Sequence, residues 1–158
     1  GPVPSVLPAA GTPTGQPPTT AGLTAALLDG LRAVDGVETY SIFGDEHDRG
    51  PVVTFTIDGL DSHLVAAALS AEHGIGVRAG KFCAHLLVDT LLADDLDGHG
   101  SAVRASAGLG TTAGHVERLL TAVAVLAAHG PAAAYRHDPE QGWVPREDSR
   151  RLDAPLPW

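Results

Sequence analysis

The chain has 158 residues, 44% of them apolar, and a formal net charge of −9 from ten basic and nineteen acidic side chains. That length suffices for one compact domain with a real core, which composition makes aliphatic: only three Phe, two Tyr and two Trp accompany the many Ala, Val and Leu. The acidic balance excludes a nucleic-acid or anionic-membrane surface, which needs a basic face, and no apolar run approaches the ~20 residues of a membrane span.

Six of the twelve prolines lie in residues 1–18 and five in 131–158, with Pro51 alone between them. Residues 1–20 carry no charged side chain and read as a disordered or linker-like lead. Gly1-Pro2, with no initiator Met, reads as a cleavage scar. No basic segment followed by an apolar stretch marks a secretory signal, and a cytoplasmic location is expected. The folded core is expected over 21–130, followed by a tail, 131–158, whose Trp143 and Trp158 sit among prolines and charges. That tail could wrap the domain or another chain.

Leu23, Leu27, Leu31 and Val34 form one helical stripe, stopped at Asp35-Gly36. Val37–Phe43 and Val52–Ile57 read as strands of a hairpin around the polar GDEHDRGP turn, in which Glu46, His47 and Asp48 are solvated. Asp61 or Ser62 caps a helix that runs to His73 and stops at Gly74. Ile75–Ala79 is a short strand and 84–92 a short helix; the acidic DDLDGHG loop follows, then a strand over Ser101–Ala107. Thr111 or Thr112 caps a last helix with the stripe Val116, Leu119, Leu120, Val123 and Leu126, ended by Gly130-Pro131. This order predicts an α+β fold: a small, mainly antiparallel β-sheet with helices packed on one face.

The chemistry concentrates in HGIGVRAGKFCAH, residues 73–85. Arg78 comes to the end of a strand, and Gly80 lets the backbone turn and leaves room for a ligand. Cys83, the only cysteine, sits on a loop rather than in an apolar stripe. Lys81, His85 and Arg78 nearby make a setting that favours the thiolate, the nucleophilic form. With a single cysteine no internal disulfide forms, which fits a reducing compartment. In Val103-Arg104-Ala105-Ser106 the alternation of a strand turns Arg104 away from the core, free to offer its fork to a carboxylate. Lys81 is the only lysine, so any Schiff-base chemistry must use it or borrow one from elsewhere; it reads as a solvated neighbour of Cys83. His85 is a candidate proton shuttle beside the thiol, against a plain solvated or capping role. No metal site is expected: Cys83-x-His85 gives two ligands at most, and His63, His73, His99 and His115 are scattered. Gly108-Leu-Gly110 is too short for a phosphate loop.

GIGVRAGKFCAH and VRASAGL, followed by a capped amphipathic helix, resemble the C-terminal small domain of cysteine desulfurases and selenocysteine lyases, class V aminotransferase-like enzymes of the pyridoxal 5'-phosphate (PLP) group. The shared pattern is apolar-Arg-x-Gly-x-x-Cys-Ala and then an Arg-Ala-Ser strand; the hairpin VVTFTIDG and the helix before GIGVR match in order, so the resemblance spans about 21–128. It implies that a loop cysteine thiolate attacks the sulfur of a PLP-bound L-cysteine and releases alanine. Cys83 would carry the persulfide and pass its sulfur to an acceptor protein. Arg104 would anchor the substrate carboxylate, and Arg78 would lie at the active-site mouth and orient the loop. The family's Schiff-base lysine belongs to a large N-terminal domain, and Lys81 lies on the cysteine loop instead, so this chain alone is not expected to hold PLP covalently. The sequence also departs from the family by reading Leu86 where Pro is common, and by the extra length of its acidic loop. The resemblance implies a PLP-binding large domain or subunit as partner and a homo- or hetero-oligomer. Two rivals stand beside this reading: another class V aminotransferase or lyase in which Cys83 is incidental, and a non-catalytic interaction module using the acidic surface, the proline-rich lead and the Trp-bearing tail.

Overall fold

The computed structural model describes residues 19–44, 47–93, 100–148 and 150. Most of the expected lead, Glu46 of the polar turn, His99 with most of the acidic loop, and the end of the tail with Trp158 lie outside the described residues.

Four strands form one antiparallel sheet: β1 (Val37–Tyr40), β2 (Val52–Ile57), β3 (Arg78–Gly80) and β4 (Ala102–Ser106), in the order β1-β2-β4-β3. The register sets Val53 opposite Ala105, Phe55 opposite Val103 and Val37 opposite Ile57. Because alternate residues face opposite ways, these apolar side chains share one face. On that face lie α1 (Thr20–Arg32) and α2 (Ser62–His73), with α4 (Ala113–His129) packed across both. Their stripes close a single core around Phe55, Leu27, Leu31, Leu69, Val103, Val123 and Leu126. The short α3 (His85–Leu91) follows the cysteine loop, and its Val88 is buried outside that main cluster. The expected α+β architecture is therefore the one observed.

The caps follow the sequence. Asp61 accepts from the Leu64 amide at the start of α2, and Gly74 ends that helix with φ +64°. Thr112 and His115 cap α4 reciprocally. Gly30 of α1 lies under the Leu120 side chain of α4, which would have to move to admit a Cβ there.

β4 is one residue shorter at each end than the sequence reading, and two other strands differ by more, for physical reasons. The first strand ends at Tyr40 instead of Phe43, because the Ser41 hydroxyl exchanges hydrogen bonds with the Phe43 amide and carbonyl, drawing the backbone out of the ladder. The third spans Arg78–Gly80 instead of Ile75–Ala79. The Ile75 amide closes α2 by donating to the Leu69 carbonyl, and Ile75 and Val77 pack on the core outside the ladder. Their alternation reported burial rather than strand pairing.

The sequence reading held no strand after β4, yet β5 (Tyr135–Asp138) and β6 (Gly142–Pro145) form a hairpin that packs on α2. Glu72 of α2 accepts from the Ala132 and Ala133 amides and from the Tyr135 hydroxyl, while the Trp143 indole donates to Asp61 at 2.9 Å. Burial pushes the Glu72 carboxyl up, but the two amide bonds and the Tyr135 hydroxyl outweigh it and hold the group below the ordinary glutamate value. Burial, followed by donation to Glu72, pushes the Tyr135 phenol well above its ordinary value.

Candidate functional site

The face of the sheet opposite the helices is polar. Across it, Tyr40 of β1, Thr54 of β2, Arg104 of β4 and Arg78 of β3 stand in register, one beside the next. Cross-strand neighbours on one face lie about 5 Å apart at Cβ, and like charges set opposite one another repel. Yet Arg78 and Arg104 are direct partners, and neither forms an ion pair among the described residues. The Arg104 Nε is also sealed from solvent with no hydrogen-bond partner there. A buried donor left unpaired costs on the order of 1–3 kcal/mol. Among the described residues these two adjacent arginines have no carboxylate set against them.

The cysteine loop leaves β3 at this spot. Gly80, φ +119°, pairs with Ala102 and turns the chain out of the sheet; a Cβ there would stand 3.7 Å from His63 Cε1. Residues 81–84 then form a tight turn, closed by the Ala84 amide donating to the Lys81 carbonyl at 2.8 Å. Its central residues are Phe82, φ +53°, and Cys83, φ +60°. Two successive left-handed positions normally fall to Asn-Gly, and each costs a side chain such as these about 1–2 kcal/mol. Such strain concentrates where function requires a particular display. The turn leaves Cys83 exposed and lays the Phe82 ring against Arg104, with the guanidinium carbon 5.2 Å from the ring centroid.

The site thus gathers the expected residues unevenly. Cys83, Arg104 and Arg78 belong to one strand end and the turn that leaves it. Lys81, expected as a solvated neighbour of Cys83, is one third exposed and pairs with Asp89 of α3, its Nζ 2.6 Å from the carboxylate. His85 opens α3 and is exposed, with no hydrogen bond among the described residues. Sequence reasoning passed over Phe82 and His63. The signal for Phe82 is slight, one aromatic beside the cysteine in a chain with three Phe; His63 needs the fold, because α2 brings it to Gly80. Ser62, next to it, donates to the Ser101 carbonyl at 2.9 Å and ties the start of α2 to the approach to β4. Among the described residues no group of three or more His, Cys, Asp or Glu is placed to hold a metal ion, and no helix is long and apolar enough to cross a membrane.

An antiparallel sheet backed by three helices, with a cysteine turn whose Phe82 lies against Arg104, defines a small α+β domain. The chain belongs to the aminotransferase class-V family, which its residues 19–119 match. It is 38% identical over 101 residues to a probable cysteine desulfurase of Halobacterium salinarum, covering 64% of this chain and 22% of that protein. A probable cysteine desulfurase of Xylella fastidiosa is 34% identical over the same span and shares. Among solved structures, the apo cysteine desulfurase of Thermococcus onnurineus superposes with a TM-score of 0.58 at 31% identity, covering 69% of this chain and 25% of that one. The chain therefore spans about a quarter or less of the length of these relatives.

Proposed function

We propose that this chain is the C-terminal domain of a PLP-dependent cysteine desulfurase, with residues 21–130 as the domain proper, Cys83 accepting sulfur and Arg104 holding the substrate carboxylate. The observation that carries the reading is the pair Arg78 and Arg104, partners across the sheet with no carboxylate against them among the described residues, Arg104 lying against the turn that exposes Cys83. Kinship with class V enzymes and cysteine desulfurases supports it.

In this reading Arg104 receives the carboxylate of L-cysteine through its guanidinium fork, and Arg78 adds charge at the mouth. The Cys83 thiolate attacks the substrate sulfur. A sulfur–sulfur bond forms as the carbon–sulfur bond breaks; the carbon keeps the electron pair, takes a proton and leaves as alanine, with the persulfide on Cys83. His85 stands two residues away as the group that moves a proton to or from the thiol. PLP, when bound, supplies the electron sink for that carbon. The residues of this chain do not fit its covalent attachment, since Lys81 is the only lysine and is paired with Asp89. The lysine belongs to a second domain or subunit, so the working enzyme is a homo- or hetero-oligomeric assembly, cytoplasmic, that delivers sulfur to an acceptor protein.

The test gives the chain L-cysteine and PLP, with and without an intact cysteine desulfurase as sulfur source, and measures alanine and the mass of Cys83. A sulfur adduct of one atom on Cys83 that Cys83→Ala abolishes supports the reading. No adduct under either condition overturns it.

A further inference from the structure

We infer that Phe82 is a positioning residue that locks the cysteine turn to the arginine anchor, so that Cys83 and Arg104 hold one fixed relation instead of moving independently. The inference rests on the reading of this site given above but concerns a contact within the chain.

Three observations carry it. The Phe82 ring lies 5.2 Å from the Arg104 guanidinium carbon. Phe82 and Cys83 occupy consecutive left-handed positions that neither side chain favours, so something outside the backbone must hold the turn. The turn has one internal backbone hydrogen bond, Ala84 to Lys81, and one flanking ion pair, Lys81 to Asp89, whose side chains are one third and one half exposed. An exposed pair of this kind holds little. The Val88 amide ties the Ala84 carbonyl to α3, but the contact of the Phe82 ring with the guanidinium is the restraint that acts on the residue adjoining the thiol on its other side.

The contact also suits the anchor. A guanidinium held by a ring spends none of its N–H donors on a hydrogen-bond acceptor. Phe82, its ring centroid 5.2 Å from the guanidinium carbon, can therefore restrain Arg104 and leave the fork for a carboxylate. An acidic side chain in the same place would fix the arginine equally well and occupy the fork. The neighbouring Arg78 cannot do this work, because like charges repel across the pair.

The experiment reads both ends of the lock in the 158-residue chain. At the anchor, the Arg104 Nε–H resonance, protected because that atom is sealed from solvent, should carry a ring-current shift from Phe82. At the loop, hydrogen exchange of the 81–84 amides should report how often the turn opens. Phe82→Tyr should keep the shift and the slow exchange. Phe82→Leu, which keeps apolar bulk without the ring, should lose the shift and speed exchange about fivefold. Arg104→Leu should speed exchange by the same factor, and the double variant no further. Equal exchange in Phe82→Leu and the parent chain overturns the proposal, as does full additivity of the two substitutions. Neither measurement involves sulfur, so failure of the lock and failure of the desulfurase reading are separate results: persulfide on Cys83 with additive exchange sinks only the lock, and no persulfide with non-additive exchange sinks only the enzyme reading.

Discussion

The two faces of one sheet are built to opposite rules. On the helix side, Phe55, Ile57 and Val103 are at most 1% exposed, and each fills space that another side chain would otherwise leave empty. On the other side, the sheet carries Thr54, Arg104 and Arg78, where the two arginines have no ion pair among the described residues and the adjoining turn is strained. Strand alternation lets a single residue step separate these roles: Val103 and Ala105 hold the fold, and Arg104 between them faces the other way, where the proposed site lies. Stability and function can thus be changed nearly independently within three consecutive residues.

That separation can be broken deliberately. Phe55→Ala should cost the most, about 3–5 kcal/mol by thermal or denaturant unfolding, because it empties the centre of the core. If Arg104→Gln cost as much, the two-face picture would be wrong; relief of repulsion with Arg78 and loss of the Phe82 contact oppose each other, so stability should change by less than about 1 kcal/mol, while the carboxylate binding proposed for Arg104 ends. Cys83→Gly sharpens the contrast from the functional side. It should raise stability by about 1 kcal/mol, since glycine accepts φ +60° without strain, and it should abolish sulfur acceptance. The smallest effect belongs to the docked hairpin. Glu72 has a depressed pKa in the folded chain, so its contribution is complete above the ordinary glutamate value and lost as pH falls through the lower folded one. A red shift of Trp143 emission in acid, missing in Glu72→Gln, would report the hairpin leaving α2.

Much of this fold is legible in the sequence because local rules and tertiary packing agree there. The stops Gly74 and Gly130, the caps Asp61 and Thr112, and the stripes of α1 and α4 fall where a 3.6-residue period and capping chemistry put them. The hairpin was hidden because its strands are four residues each, β5 is mostly polar or charged and β6 is bounded by Gly and Pro, so no period of two emerges. Its turn was nevertheless written in Asp138, Pro139 and Gly142: the Asp138 carboxylate accepts the Glu140 and Gln141 amides, and Gly142 takes φ +75°. At the site, the spacing of Arg78, Gly80 and Cys83 could be read directly. The facing of Arg78 on Arg104 and the ring of Phe82 could not, because each depends on a register between strands distant in the chain.

The position of β4 has a consequence for how the chain reaches this structure. It sits inside the sheet, between β2 and β3, yet it is the last of the four strands in sequence. Until it arrives, β1 and β2 form only a hairpin, with one edge of β2 unsatisfied and Phe55 without its partner Val103. Closing that pairing means folding back across α2, β3 and α3, the kind of long-range contact that sets a slow rate. The strand that carries Arg104 therefore also keys the assembly of the sheet, and the arginine reaches its place beside Arg78 only as the core shuts behind it.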